Sequence, residues 1–235
     1  MGTAGGTTVT NTTGSISAQV RANPTAGFSI VTYTGTSANA TIGHGLGVAP
    51  RMIIVKRRDA ADIWTTYHES IGNTQYLRLQ DTNQAGTYNI WQNTSPTSSV
   101  FYISTDTTVN TSTGTYVAYC WAEVAGYSKF GSYTGNGSTD GPFVYCGFRP
   151  RYVMWKQTNA TGEYWEIIDS TRGTYNVNAP VLYANVSSAE ESASRADFLS
   201  NGFKLRQTNA GSNASGSTYI YMAFAESPLK YARAR

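Results

Sequence analysis

Thr115-Tyr116-Val117-Ala118-Tyr119-Cys120-Trp121-Ala122-Glu123 decides the fold class, because the phrase returns further along as Thr218-Tyr219-Ile220-Tyr221-Met222-Ala223-Phe224-Ala225-Glu226. Alternation of two kinds of side chain is the period of a strand, not of a helix. Val117, Tyr119 and Trp121 fall on one face and Ala118, Cys120 and Ala122 on the other. In the second phrase Ile220, Met222 and Phe224 oppose Tyr221, Ala223 and Ala225. The large apolar face common to both is expected to point into a core.

Working outward, Pro50-Arg51-Met52-Ile53-Ile54-Val55-Lys56 is matched by Pro150-Arg151-Tyr152-Val153-Met154-Trp155-Lys156. Tyr33-Thr34-Gly35 is matched by Tyr133-Thr134-Gly135, and Trp64 by Trp165. The order is the same in both, as two similar units with small loop insertions would give. The 52–55 and 152–155 stretches are apolar on both faces, which marks central strands. Further strand candidates in the first copy are 28–34, 64–68, 75–79, 88–91, 100–104 and 116–123, separated by turn residues. The expected fold is all-β, with two tandem, similar antiparallel β-sandwich (jelly-roll-like) units. Residues 1–27, rich in Gly, Thr and Ser, read as an extended N-terminal arm, with units at 28–130 and 131–235.

Charged residues are 13% of the chain, against roughly 25% in an ordinary domain; Ser, Thr, Asn and Gly take their place. Aromatics also reach 13%, so each unit has enough apolar surface to bury a core. The net charge of +3 is too mild for a nucleic-acid partner, which needs clustered Lys and Arg. The one dense basic run, Lys56-Arg57-Arg58, reads as a strand end entering a hairpin at Asp59-Ala60-Ala61-Asp62. No apolar run is long enough for membrane insertion. Met1-Gly2-Thr3-Ala4-Gly5-Gly6 lacks the features of a signal peptide, so synthesis in a cytosol is expected and the Asn-X-Ser/Thr tripeptides read as turns. Cys120 and Cys146 read as buried free thiols.

Catalytic chemistry finds little footing, and no cofactor, metal or catalytic residue is expected. His68-Glu69 lacks a second histidine at helical zinc spacing. His44, in Gly43-His44-Gly45-Leu46-Gly47, reads as part of a tight turn, because no Lys-Ser or Lys-Thr follows as in a phosphate loop. Asn136-Gly137-Ser138-Thr139-Asp140-Gly141 lacks the acidic spacing of a calcium loop and reads as a hairpin turn. The pairs Asp59/Asp62, Glu163/Glu166 and Glu190/Glu191 would serve a glycosidase only if folding set them across a sugar. Trp64, Tyr67, Tyr164 and Trp165 are the candidate glycan-contact aromatics, since they lie beside polar residues that suit sugar hydroxyls; core packing is the competing use of each.

Several separated blocks carry a resemblance. They are Thr41-Ile42-Gly43-His44-Gly45-Leu46-Gly47-Val48-Ala49-Pro50, the run from Gly126 to Gly137, Asp197-Phe198-Leu199-Ser200-Asn201-Gly202-Phe203-Lys204, and 219–226. Together they resemble a domain of unknown function in structural, tail-fibre-like proteins of marine tailed bacteriophages. The resemblance implies a non-enzymatic virion protein, a homotrimer, made in the bacterial host cytoplasm and displayed on the particle. It would join other virion proteins through the N-terminal arm and contact a host-surface glycan as a tail-fibre or adhesin component. Capsid decoration, as cement or head fibre, is the alternative, and a glycan-active enzyme is a third reading.

Overall fold

The computed structural model describes residues 6–227; the first five residues of the expected arm and the last eight of the expected second unit lie outside them. With 45% of residues in strand and 5% in helix, the chain is all-β and its sheets are antiparallel. It divides into two compact units. Unit 1 holds Met1–Leu79 and Ala85–Glu123, and unit 2 holds Gln80–Gln84 and Val124–Arg235.

Unit 1 runs β1 (Val9–Asn11), β2 (Ala18–Asn23), β3 (Phe28–Thr34), β4 (Ala40–Gly43), β5 (Met52–Arg57), β6 (Trp64–His68), β7 (Gln75–Arg78), β8 (Gly86–Thr87), β9 (Val100–Ile103), the one-turn helix α1 (Thr107–Asn110) and β10 (Thr115–Trp121). Eight of these form a sheet in the order β1-β2-β3-β10-β5-β6-β7-β8, and β4 pairs with β9. The central position of β5, between β10 and β6, follows from its four buried apolar residues.

Within the segment expected as an extended N-terminal arm, residues 18–23 form a strand of the unit 1 sheet. Val20 pairs with Val31 and Gln19 with Thr32, so β2 is an integral strand. The reason lies in Ala18-Gln19-Val20-Arg21: Ala18 and Val20 turn into the core, while Gln19 and Arg21 face water. Residues 11–16 then run beside β4. The Ile16 amide donates to Thr41 O at 3.2 Å, the Ser15 amide to Thr41 Oγ1 at 2.9 Å and the Thr41 amide to Ser15 Oγ at 2.8 Å. Gly14 is required there, because a Cβ would run into the Thr41 carbonyl. The free side of β4 is thereby covered. Residues 88–91 form no strand; Ile90 and Trp91 are buried as loop residues, and the Trp91 indole donates to Gln75 O at 3.2 Å.

The inward face of β10 is the reverse of the expected one. Tyr116, Ala118 and Cys120 are fully buried in the core, while Val117, Tyr119 and Trp121 are half-buried on the outer face, where Trp121 packs on Phe28 and Tyr119. Small residues point inward because Tyr33, Trp91 and Phe101 fill the interior, and a second large face would overpack it.

Unit 2 runs β11 (Ser128–Thr134), β12 (Phe143–Tyr145), β13 (Pro150–Gln157), β14 (Glu166–Asp169), β15 (Asn178–Tyr183), β16 (Glu191–Leu199), β17 (Gly202–Leu205), α2 (Ala210–Asn213) and β18 (Thr218–Ala225). All eight strands belong to one sheet, ordered β11-β18-β13-β14-β15-β16-β17-β12. Across the core the first strand of the sheet meets the last but one: Tyr133 of β11 packs edge-on against Phe203 of β17 at 6.1 Å. Residues 128–130, expected in the first unit, pair with β18 instead. Tyr219, Tyr221, Ala223 and Ala225 line the core; Ile220, Met222 and Phe224, on the other face, are buried as well.

One arrangement occurs in both units. Tyr33 stacks on Tyr116 at 5.2 Å, and Tyr133 on Tyr219 at 4.9 Å. Their hydroxyls donate to the short helix: Tyr33 to Val109 O and Tyr116 to Thr107 O, Tyr133 to Ser212 O and Tyr219 to Ala210 O, at 2.6–2.8 Å. Asp106 caps α1 and Asn209 caps α2. The buried Asn110 amide accepts from the Thr36 amide and donates to Ala38 O and Ser104 O. Asn213 likewise accepts from the Asn136 amide and donates to Ser138 O and Gln207 O.

Candidate functional site

The sequence candidates gather at one hairpin in each unit: Trp64 and Tyr67 on β6, Tyr164 and Trp165 at the start of β14. Tyr67 and Trp165 are 2% and 1% exposed, so neither offers a ring face to a sugar at the surface. Tyr67 instead packs edge-on against Trp91 at 5.8 Å. Trp64 is half-buried with the Lys56 ammonium 6.0 Å from its ring centre. Tyr164 alone is exposed, at 38%, with Tyr183 against its ring at 4.8 Å.

The carboxylate pair Glu163/Glu166 is brought together. A Cβ on Gly211 of α2 would run into Glu166 Oε1 and lie 3.1 Å from Glu163 Oε2, so the two carboxylates share the space that this glycine leaves. β16 supplies the counter-charge: Arg195 Nε is 2.9 Å from Glu166 Oε2, with both side chains buried. Arg195 also donates to Gln207 Oε1 at 2.8 Å and to Tyr183 Oη at 3.4 Å, and Tyr183 donates to Glu191. Burial pushes the Glu166 carboxyl up to about 7, against the pull of Arg195. Neither Arg195 nor its role was legible in the sequence, since it lies on a strand far along the chain. Asp59/Asp62 and Glu190/Glu191 make no such pair: Arg57 binds Asp59, Lys56 binds the Asp62 carbonyl and Arg172 binds Glu190.

On the opposite side of β13, Lys156 is fully buried. Its Nζ donates to Gln157 O at 2.9 Å and to Thr82 O at 3.4 Å, and desolvation pulls it down to about 8. Thr82 lies in the Gln80–Gln84 segment, which the Gly162 amide also binds through Thr82 O at 3.0 Å.

The Glu166–Arg195 pair ties β14 to β16, and Lys156 ties β13 to the Gln80–Gln84 segment. A glycosidase sets an acid and a second carboxylate across a sugar, and Glu166 is 2% exposed. The histidines serve local structure as well. His44 is buried, with Nε2 3.1 Å from Thr97 O and Nδ1 accepting from the Leu46 amide, and the turn after it runs through Gly45 at φ +71°. His68 Nδ1 accepts from the Ser70 amide. Cys120 and Cys146 are buried free thiols, and burial raises Cys120 to about 12. Among the described residues no three His, Cys, Asp or Glu side chains gather as metal ligands, and no helix is long and apolar enough to cross a membrane.

Residues 2–228 match a family described as a domain of unknown function, DUF7483, and the chain belongs to that family. No curated protein and no solved structure matches it.

Proposed function

We propose that the chain is a non-enzymatic structural protein of a phage virion, a tail-fibre or adhesin component that contacts the host surface. Its units are read as two tandem, sandwich-like β modules, assembled as a homotrimer and joined to the particle through residues ahead of β1. One observation carries the reading. In both units the side chains best equipped for chemistry are spent on backbone groups or on each other, as with Asn110, Asn213, His44 and the Glu166–Arg195 pair. What remains outside is a surface of Ser, Thr, Asn and Gly with few charges, suited to presenting a face and not to acid–base work.

Quantitative mass spectrometry of purified virions, referenced to the major capsid protein, tests this. A few to a few dozen copies support the tail assignment. Hundreds favour the capsid-decoration alternative, and absence from the particle overturns both. The enzyme reading draws on the shared space of Glu163 and Glu166. Glycan cleavage that disappears in Glu163→Gln and in Glu166→Gln would replace the structural proposal with it.

A further inference from the structure

The edge strand β12 carries a feature that its counterpart in unit 1 lacks. In the β4–β9 pair Ile42 faces Phe101, and in the β12–β17 pair Val144 faces Phe203; each pair turns these residues into its core. The residues flanking Ile42 are Thr41 and Gly43, beside which residues 11–16 run. The residues flanking Val144 are Phe143 and Tyr145, which are 44% and 63% exposed, on the last strand of its sheet. A large ring held in water is costly and adds nothing to a core.

Both rings rest on glycine. A Cβ on Gly202 would lie 3.1 Å from Phe143 Cε2, and a Cβ on Gly147 would lie 3.8, 3.7 and 3.5 Å from Cε1, Cζ and the hydroxyl of Tyr145. Backed by bare backbone on one side, each ring keeps open surface on the other. Two positions along one strand separate them by about 7 Å, a spacing that calls for a ligand with more than one ring.

The charges beside them are matched. In register with Phe143 stand Lys204 and then Asp197. Lys204 Nζ is 2.6 Å from Asp140 Oδ1, and Arg206 Nε is 2.5 Å from Asp197 Oδ2. Paired charges give this face no net pull on an ionic partner. They do offer donors and acceptors side by side, the complement of hydroxyl groups, which both donate and accept.

We propose that the outer face of β12 and β17 is a binding platform for a neutral oligosaccharide, with Phe143 and Tyr145 stacking on successive sugar rings and Lys204 and Asp140 bonding their hydroxyls. The proposal deepens the reading of the chain as a surface-contact protein and rests on it for the biological source of the glycan.

The test uses the full chain and three probes, maltohexaose, cellohexaose and laminarihexaose, with saturation-transfer NMR to detect binding and titration to measure it. Binding to at least one probe is expected, weakened at least tenfold in Phe143→Ala and in Tyr145→Ala and unchanged in Tyr88→Ala, which removes an exposed ring from unit 1. Circular dichroism confirms that the variants are folded. Binding to none of the probes, or binding that both platform variants retain, overturns the proposal. Because purified protein is used, the outcome is independent of the virion count: a chain absent from particles that still binds through Phe143 and Tyr145 would end the structural reading and leave the platform standing.

Discussion

Unit 1 and unit 2 solve one local problem in different ways. Val55 pairs with Thr65 across β5 and β6, and Trp155 pairs with Glu166 across β13 and β14, at matching places in the PRMIIVK and PRYVMWK stretches. A neutral hydroxyl in one unit is therefore a buried carboxylate in the other, and the carboxylate brings Arg195, Gln207 and Tyr183 with it. The helix above responds too: the place of Thr108 in α1 is taken by Gly211 in α2, whose missing side chain makes room for Glu166. The shared frame tolerates an ion pair only where several other residues accommodate it.

The sharpest way to break this contrast is Arg195→Leu. It leaves Glu166 buried without its counter-charge and should destabilise unit 2 by about 3–5 kcal/mol. Unit 1 should keep its protection in hydrogen exchange followed by mass spectrometry. The double change Glu166→Thr with Arg195→Leu, which imitates unit 1, should recover most of the loss; no recovery would mean that Arg195 acts through packing and not charge.

A pH series tests the same difference. Glu166 has an ordinary value of 4.5 and stands at about 7 in the fold, so the folded state holds its proton more tightly than the unfolded chain. The stability this contributes is fully present below pH 4.5 and lost as pH rises through 7. Unit 2 should lose exchange protection relative to unit 1 across that window, and Glu166→Gln should flatten the trend. An equal slope in both units would remove Glu166 as its source.

Smaller effects probe what the units share. Asn110→Ala and Asn213→Ala each strand buried carbonyls and an amide, and each should cost its own unit about 2–3 kcal/mol in denaturant unfolding. Tyr33→Phe and Tyr133→Phe remove one hydroxyl donor and should cost about 1 kcal/mol each. A marked inequality within either pair would show that the common hydrogen bonds carry different weight in the two settings.

Much of the frame was legible. Strands over 28–34 and 64–68 fall where the alternation placed them, and β5 and β13 are central because their apolar residues occupy both faces. On β10 side-chain size does not mark the buried face. The interior was already supplied with rings by Tyr33, Trp91 and Phe101, which left room only for Ala118 and Cys120 beside Tyr116. β2 was masked by its Gly- and Thr-rich surroundings, although Ala18 and Val20 alternate with Gln19 and Arg21. The caps Asp106 and Asn209, each four residues ahead of an asparagine, form a repeat that the sequence alone displays. Of the candidate site, spacing flagged Glu163 with Glu166, but long-range pairing alone supplies Arg195. The exposure of Phe143 and Tyr145 depends on what covers a strand edge, which no local pattern records.

That edge has a further consequence, for solubility. A strand at the end of a sheet presents unpaired amides and carbonyls that a second chain can extend, and apolar side chains make such an end a seed for fibrils. β12 is only three residues long. Three residues offer too few bonds to template a neighbouring chain, so two aromatic rings can stand in water here without recruiting copies of the molecule into a growing sheet.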